Sequence, residues 1–283
     1  MNKADYDYLA QYLHESSGLV LTEDKSYLIE SRLLPVIRRH NLATLEEMVQ
    51  KIRSRQNHNL MRDVTEAMTT NESSFFRDLK PFDLFKDVML PYFLQARNTT
   101  KRIRIWSGAS SSGQEAYSMA ILLKEQEEKL RGWNIEIIGT DLSSEMVERA
   151  KSGIYTQFEV QRGMPVHLII KYFKQAGDRW QIAPEIRAMA QFKTCNLLQD
   201  LSWLGSFDII FLRNVLIYFD QPTKSKVLDH VSRIMASDSM MLLGGAETVL
   251  GINNNFRSHE KHHNIYMRAN GQAAMGYASS SGR

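Results

Sequence analysis

The segment that most constrains this chain is Ile103-Arg-Ile-Trp-Ser-Gly-Ala-Ser-Ser-Ser-Gly-Gln-Glu115. Ile103 and Ile105 alternate with polar residues, as in a strand buried on one face. The strand runs into a turn of Gly and Ser. That turn opens onto an apolar helix carrying Ala116, Met119, Ala120, Leu122 and Leu123. A second strand over residues 135–140 ends in Asp141, 26 positions beyond Glu115. A strand, a small-residue turn, a helix and a second strand closed by a carboxylate predict a nucleotide-type site. The turn lets backbone approach the ligand, and the carboxylate accepts bonds from a ribose diol.

The chemistry of the turn narrows the ligand. A dinucleotide fingerprint needs G-x-G-x-x-G around a pyrophosphate, whereas residues 108–113 read Gly-Ala-Ser-Ser-Ser-Gly without the middle glycine. Glu115 at the helix start would also face a phosphate with another anion. A cationic ligand suits it better, and S-adenosylmethionine offers both a ribose for Asp141 and a positively charged methionine end. The competing reading is an ordinary α/β loop with solvent-facing acids.

Alternation of strand and helix patterns begins near residue 101. Strands are expected at about 103–107, 135–140, 190–195, 207–212 and 239–244, with helices at about 113–130, 144–152 and 222–236. That order predicts a mainly parallel Rossmann-like sheet with helices on both faces. Residues 263–268 should add an antiparallel strand. Within residues 171–189, a Gly-Asp turn between two runs of strand formers suggests an inserted antiparallel β-subdomain at about 163–190.

Residues 1–70 read as helices throughout. The acids after Thr22 should start a helix over 25–40 that Pro35 kinks or shortens. Thr44 and Glu47 have capping-box spacing. The expected division is a helical domain over 1–75, a linker and helix over 76–100, the α/β domain over 101–269, and a disordered tail over 270–283 rich in Gly and Ser.

Bulk properties exclude several classes. An apolar fraction of 43% allows a sizeable core, and a net charge of +3 does not by itself argue for nucleic acid. Cys195 is the only cysteine, so no internal disulfide forms and a reducing cytosol is expected. No apolar run of the ~18 residues that span a membrane is present. Between Ser31 and Arg62 seven Lys or Arg face only Glu46 and Glu47. Lys25, Arg32 and Arg39 recur at i+7 on one helical face. That face could be a docking surface for an acidic partner or simply solvated. His259, His262 and His263 have metal-like spacing but lack a fourth ligand, so no metal is expected. Cys195, Met240 and Met241 read as core, and Phe75 and Phe76 as core or pocket wall.

Four segments together resemble one family. Thr69-Thr-Asn-Glu-Ser-Ser-Phe-Phe-Arg-Asp78, Trp106-Ser-Gly-Ala-Ser-Ser-Ser-Gly-Gln-Glu115, Gly139-Thr-Asp-Leu-Ser and Phe211-Leu-Arg-Asn-Val-Leu-Ile-Tyr-Phe-Asp220 look like CheR, the chemotaxis receptor methyltransferases, in the right order over about residues 5–268. The resemblance implies a cytoplasmic bacterial enzyme moving a methyl group from S-adenosyl-L-methionine to glutamates of chemoreceptor cytoplasmic helices. The products are glutamyl methyl esters and S-adenosyl-L-homocysteine. Position by position, it places donor contacts on Asn71, Ser73 and Arg77, on the acids Glu115 and Asp141, on Asn196 and Leu197, and on Arg213 and Asn214. Ser73 stands where the family commonly has Thr and keeps the hydroxyl.

Arg77 is expected to act in catalysis, orienting either the acceptor carboxylate or the donor's own; its bland alternative is a helix-surface arginine. Tyr218 is expected beside the sulfonium, the alternative being a packed aromatic. A glutamate with pKa ~4.3 is already ionised, so alignment rather than a base or metal is required. Arg32, Arg38 and Arg39 become the expected receptor-docking residues. The short turn at residues 175–179 departs from members that dock on a receptor C-terminal pentapeptide, so such tethering is not expected. A monomer that binds no nucleic acid and does not insert into membranes completes the expectation. The rival readings are an enzyme of the same fold acting on RNA or a small molecule, and a non-catalytic ligand-sensing scaffold.

Overall fold

The computed structural model describes residues 1–22 and 26–271. Four helices open the chain: α1 (Lys3–Ser17), α2 (Tyr27–Arg39), α3 (Leu45–Arg53) and α4 (His58–Met68). They close around Leu9, Leu13, Ile29, Leu33, Met48, Ile52, Leu60 and Val64. Gly18 ends α1 at φ +77°, a left-handed turn that glycine adopts without strain. The Thr44 hydroxyl accepts the Glu47 N–H as expected, but the Glu47 carboxylate reaches back one residue further, to the Ala43 N–H. The acids expected to start α2, and Lys25 with them, lie outside the described residues. Contrary to expectation, α2 runs through Pro35 to Arg39. Pro35 and Ser31, whose carbonyl loses its donor, are both exposed, so water replaces the missing bond.

Two short helices, α5 (Lys80–Leu84) and α6 (Leu90–Ala96), lead into the sheet. Among the described residues the strands are β1 (Arg102–Gly108), β2 (Asn134–Asp141), β3 (Ile154–Thr156), β4 (Phe173–Ala176), β5 (Arg179–Ile182), β6 (Ala190–Thr194), β7 (Phe207–Leu212), β8 (Met235–Leu243), β9 (Phe256–Ser258) and β10 (Ile265–Arg268). Seven form the main sheet in the order β6-β2-β1-β7-β8-β10-β9. Pairing is parallel from β6 to β8, and β10 runs antiparallel to both its neighbours. Alternation along β1 sends Ile103 and Ile105 into one core and Trp106 into the other. Helices α7 (Gln114–Lys124), α8 (Ser144–Ser152) and, later, α12 (Gln221–Arg233) connect the strands.

The inserted sheet has three strands in the order β3-β5-β4. It therefore begins at Ile154, earlier than the hairpin alone indicated. Helices α9 (Gln157–Gln161), α10 (Val166–Tyr172) and α11 (Pro184–Arg187) flank it. α7 stops at Lys124, where its apolar periodicity ends, and β8 begins at Met235, before the apolar run. The polar start of β8 is held by Arg97, whose guanidinium donates to Asp208 at 2.9 Å and to both Asp238 oxygens at 2.6 and 2.9 Å. Of the expected tail, residues beyond 271 lie outside the described residues.

Candidate active site

Strand order reverses on either side of β1, between β2 and β7, and an open α/β sheet leaves its crevice at the carboxyl ends of such strands. Gly108 at the end of β1 pairs with Thr140 on one side and Leu212 on the other, so the three ends are level. A cleft of ≈ 990 Å³, counting the part open to solvent, lies there.

The turn after β1 forms one wall. A Cβ on Gly108 would stand 2.9 Å from the Trp106 ring, and Gly113 adopts φ +91° beside Phe192. Ala109 and Ser111 also take left-handed backbone, at φ +56° and +50°. Asp141 holds this shape: its two oxygens accept the N–H groups of Ser111 at 2.7 Å and Ser143 at 2.9 Å. A carboxylate offers about four acceptor positions, so half remain for a ligand. Burial raises the Asp141 pKa, the N–H groups of Ser143, Ser111 and Leu142 oppose that, and the charge of Glu66 adds to it.

Glu115 sits at the start of α7, accepting from the Ser107 hydroxyl and from Arg213 Nη1, both at 2.8 Å. Arg213, with a side chain only 2% exposed, also donates from Nη2 to Asp78 at 2.7 Å and to the Arg77 carbonyl. One guanidinium between two carboxylates leaves this corner net negative, as a cationic ligand requires. Asn214 follows at φ +57°. The turn beyond it is gripped by Glu247: Oε2 accepts the N–H groups of Asn214 and Gly244 at 2.7 Å, and Oε1 those of Val215, Leu216 and Ile217.

All the cofactor and catalytic residues expected from sequence line this one cleft: Asn71, Ser73, Arg77, Glu115, Asp141, Asn196, Leu197, Arg213, Asn214 and Tyr218. The Asn71 carbonyl accepts the Ser111 hydroxyl, tying the segment after α4 to the β1 turn. Arg77 makes one side-chain bond, to the Glu72 carbonyl at 3.0 Å. The Asn196 amide is engaged within the protein, donating to the Ser16 carbonyl and accepting from the Leu198 N–H. The Tyr218 hydroxyl has no protein partner among the described residues.

The three arginines expected to dock a partner lie elsewhere and differ among themselves. Arg32 donates to the Met68 and Thr69 carbonyls and to the Thr70 hydroxyl, holding the segment that leads to Asn71. It is therefore an internal brace. Arg38 and Arg39 are exposed, Arg39 lying 3.5 Å from Asp63. Cys195 is buried as expected, yet it also lines the cleft, and burial pushes its thiol up to about 11. Among the described residues no group of three His, Cys, Asp or Glu could hold a metal ion.

Sequence reasoning missed three groups. Ser17 and Leu19 extend the cleft wall from the helical domain. Glu66 caps the start of α8, accepting the Ser144 N–H at 2.9 Å and both the Ser143 and Ser144 hydroxyls. Glu247 carried no signal beyond following a sheet strand.

Residues 4–69 match the family model described as "CheR methyltransferase, all-alpha domain", and residues 71–265 match "CheR methyltransferase, SAM binding domain". The chain belongs to the CheR methyltransferase family. Chemotaxis protein methyltransferase 1 of Pseudomonas aeruginosa is 37% identical over 250 residues, covering 87% of this chain and 90% of that protein. Chemotaxis protein methyltransferase 1 of Vibrio cholerae is 36% identical over 255 residues, 89% of this chain and 92% of its own length. A chemotaxis protein methyltransferase of Pseudomonas putida is 35% identical over 257 residues, 89% and 93% of the two chains.

This CheR methyltransferase is thus an S-adenosylmethionine-dependent enzyme with a helical N-terminal domain and a Rossmann-like sheet. Its residues fit that ligand on physical grounds as well. Ser110 Oγ and Arg213 Nε are buried without a protein partner among the described residues, and both residues line the cleft. Unpaired buried polar atoms are costly, and a polar ligand relieves them.

Proposed function

We propose that this enzyme methylates glutamate side chains of chemoreceptor cytoplasmic domains, yielding glutamyl methyl esters for chemotactic adaptation. The reading is supported by the chemotaxis methyltransferase relatives over most of the chain. The observation that carries it within the molecule is the convergence of Asp141, Glu115, Arg77 and Tyr218 on one cleft. S-adenosylmethionine, when bound, supplies a methyl group activated on a sulfonium.

Asp141 would hold the ribose diol through the acceptor positions its backbone bonds leave open. Glu115 would receive the ammonium of the methionine end, held in place by Arg213. Asn71, Ser73, Asn196, Leu197 and Asn214 form the remaining walls, Asn196 through its backbone and position because its amide is already bonded. Arg77, with most of its donors free, orients a carboxylate, and Tyr218 presents ring and hydroxyl to the cation. An ionised glutamate needs no general base, so the chain's task is to align the reactants and exclude water, which supplies roughly 7–11 kcal/mol.

Exposed Arg38 and Arg39 on α2 supply the basic contact for an acidic receptor helix, with residues 1–75 as the docking domain. β4 and β5 are joined by only Gly177 and Asp178, which supports receptor engagement without pentapeptide tethering. No helix among the described residues is long and apolar enough to cross a membrane. A cytoplasmic monomer acting without nucleic acid fits these features. Incubation with tritiated donor and receptor cytoplasmic fragments should give base-labile label on glutamates. Label on RNA or a small molecule, with none on receptor fragments, overturns the reading.

A further inference from the structure

A second depression adjoins the cofactor cleft and shares two of its walls. It holds ≈ 820 Å³, counting its open mouth, and runs between the start of α5 and the segment after β8. Arg77 and Asn214 line both spaces, so the two meet where the catalytic arginine stands. Lys80 and Asp78 flank the groove, Leu84 and the last two residues of β8 lie along it, and Gly245 and Ala246 form the far side.

We propose that this groove is the acceptor subsite, the path by which a glutamate carried on a protein surface reaches the methyl group. The proposal rests on the function stated above and specifies its substrate side. Three observations carry it. The charge is right: Asp78 is paired with Arg213, whereas among the described residues Lys80 has no side-chain partner and Arg77 only one bond, so the groove offers free cations to a carboxylate. The polarity is right for the aliphatic stem of glutamate, because Leu84, Leu242 and Leu243 line it. The far side is low: Gly245 and Ala246 are exposed, and a Cβ on Gly245 would meet nothing within 4 Å, so a partner helix can approach the backbone closely.

Glu247 links the groove to the cofactor turn. Its Oε2 accepts from Gly244 on the groove segment and from Asn214 on the shared wall, fixing the spacing between them. A carboxylate entering here meets Lys80 first and Arg77 at the junction, which makes Lys80 a positioning residue.

The test is a pair of variants assayed on a receptor cytoplasmic fragment that the wild-type enzyme methylates. Ala246→Trp fills the groove from an exposed position. It should lower kcat/KM for the fragment about tenfold or more while leaving the affinity for S-adenosylhomocysteine within about twofold. Lys80→Glu should raise KM for the fragment with cofactor affinity kept, and Lys80→Arg should restore it. Full methylation by Ala246→Trp overturns the groove, as does loss of cofactor binding with the fold intact. Should Ala246→Trp fail to fold, an unchanged KM in Lys80→Glu overturns it instead. A wild-type enzyme that labels no receptor fragment sinks the parent reading and this one together, which separates the two failures.

Discussion

Glu247 touches nothing that reacts, yet the cofactor wall hangs from it. Its carboxylate accepts five backbone N–H groups, from Gly244, Asn214, Val215, Leu216 and Ile217. Glu247→Gln preserves shape and replaces one oxygen with a donor. The less costly orientation sets the new NH₂ against Asn214 and Gly244, both of which bonded Oε2 at 2.7 Å. An unsatisfied buried donor costs about 1–3 kcal/mol. Gly244 is buried and pays that in full, while half-buried Asn214 can turn to water.

The expected loss is therefore about 1–3 kcal/mol, a fall in Tm of about 2–12 °C at ~2–4 °C per kcal/mol. Asn214 also sits at φ +57°, a conformation its N–H bond to Glu247 helps maintain. Once released, the turn must be re-formed when ligand binds, so S-adenosylhomocysteine should bind about 5- to 150-fold more weakly. Calorimetry well below Tm, with a thermal melt alongside, reads both quantities. A lowered Tm with ligand affinity within twofold of wild type would refute the coupling between this clamp and the cofactor wall.

Three other perturbations follow from the same geometry. Arg213→Ala leaves Glu115 without its cation, a change that costs about 3–5 kcal/mol for a buried pair and should lower Tm and abolish detectable binding of S-adenosylhomocysteine. Burial raises the Asp141 pKa in the folded protein, so its stability contribution is fully present below the unfolded value of ~3.9 and lost as pH rises through the folded value. Ligand affinity runs the other way, because a diol donates to the anion: it should weaken as pH falls through that raised value, and Asp141→Asn should remove this limb of a calorimetric pH series. Cys195, with its thiol pushed up to about 11, should resist iodoacetamide at neutral pH far longer than a free thiol near 8.5, and longer still with S-adenosylhomocysteine bound; rapid alkylation of the folded enzyme contradicts its placement.

What the sequence disclosed was local in origin. β1, its turn, α7 and the strand ending at Asp141 are successive elements whose signals lie within each window, and they appear close to where the pattern puts them. The β8 start was hidden because Asp238 is a buried polar residue, made tolerable there by Arg97, 141 positions away, and by the Tyr92 hydroxyl. β9 is three residues long and pairs only with β10, too short for periodicity to register. The acids Glu115 and Asp141 were legible from their places beside the turn. Glu247 and Ser17 were not, since each owes its role to contacts made across the fold. Arg32 shows the opposite limit: helical spacing put it on a basic face, but its partners at residues 68–70 were invisible to spacing.

The helical domain also shapes the cleft. Ser17, Leu19, Thr69 and Thr70 wall the cleft from that side. Further contacts fasten it to the α/β domain: Glu66 on the α8 N-terminus, the Ser16 carbonyl on Asn196, the Val20 N–H on the Tyr218 carbonyl, and His14 on Asp220 at the start of α12. The first three attach to loops beside the cleft, and His14 holds the N-cap of α12. Glu66 bonds the two serines after Asp141, Ser16 bonds the side chain beside Cys195, and Val20 bonds the residue at the proposed transfer point. A rigid shift of the helices on receptor contact would therefore move three cofactor-wall loops at once. With Arg38 and Arg39 on α2 and the brace of Arg32 reaching the Asn71 segment from the same helix, α2 joins the exposed basic surface to the cleft in one rigid step. In the docking proposed above, recognition of the partner and shape of the donor site share α2, which binding to isolated sheet residues could not provide.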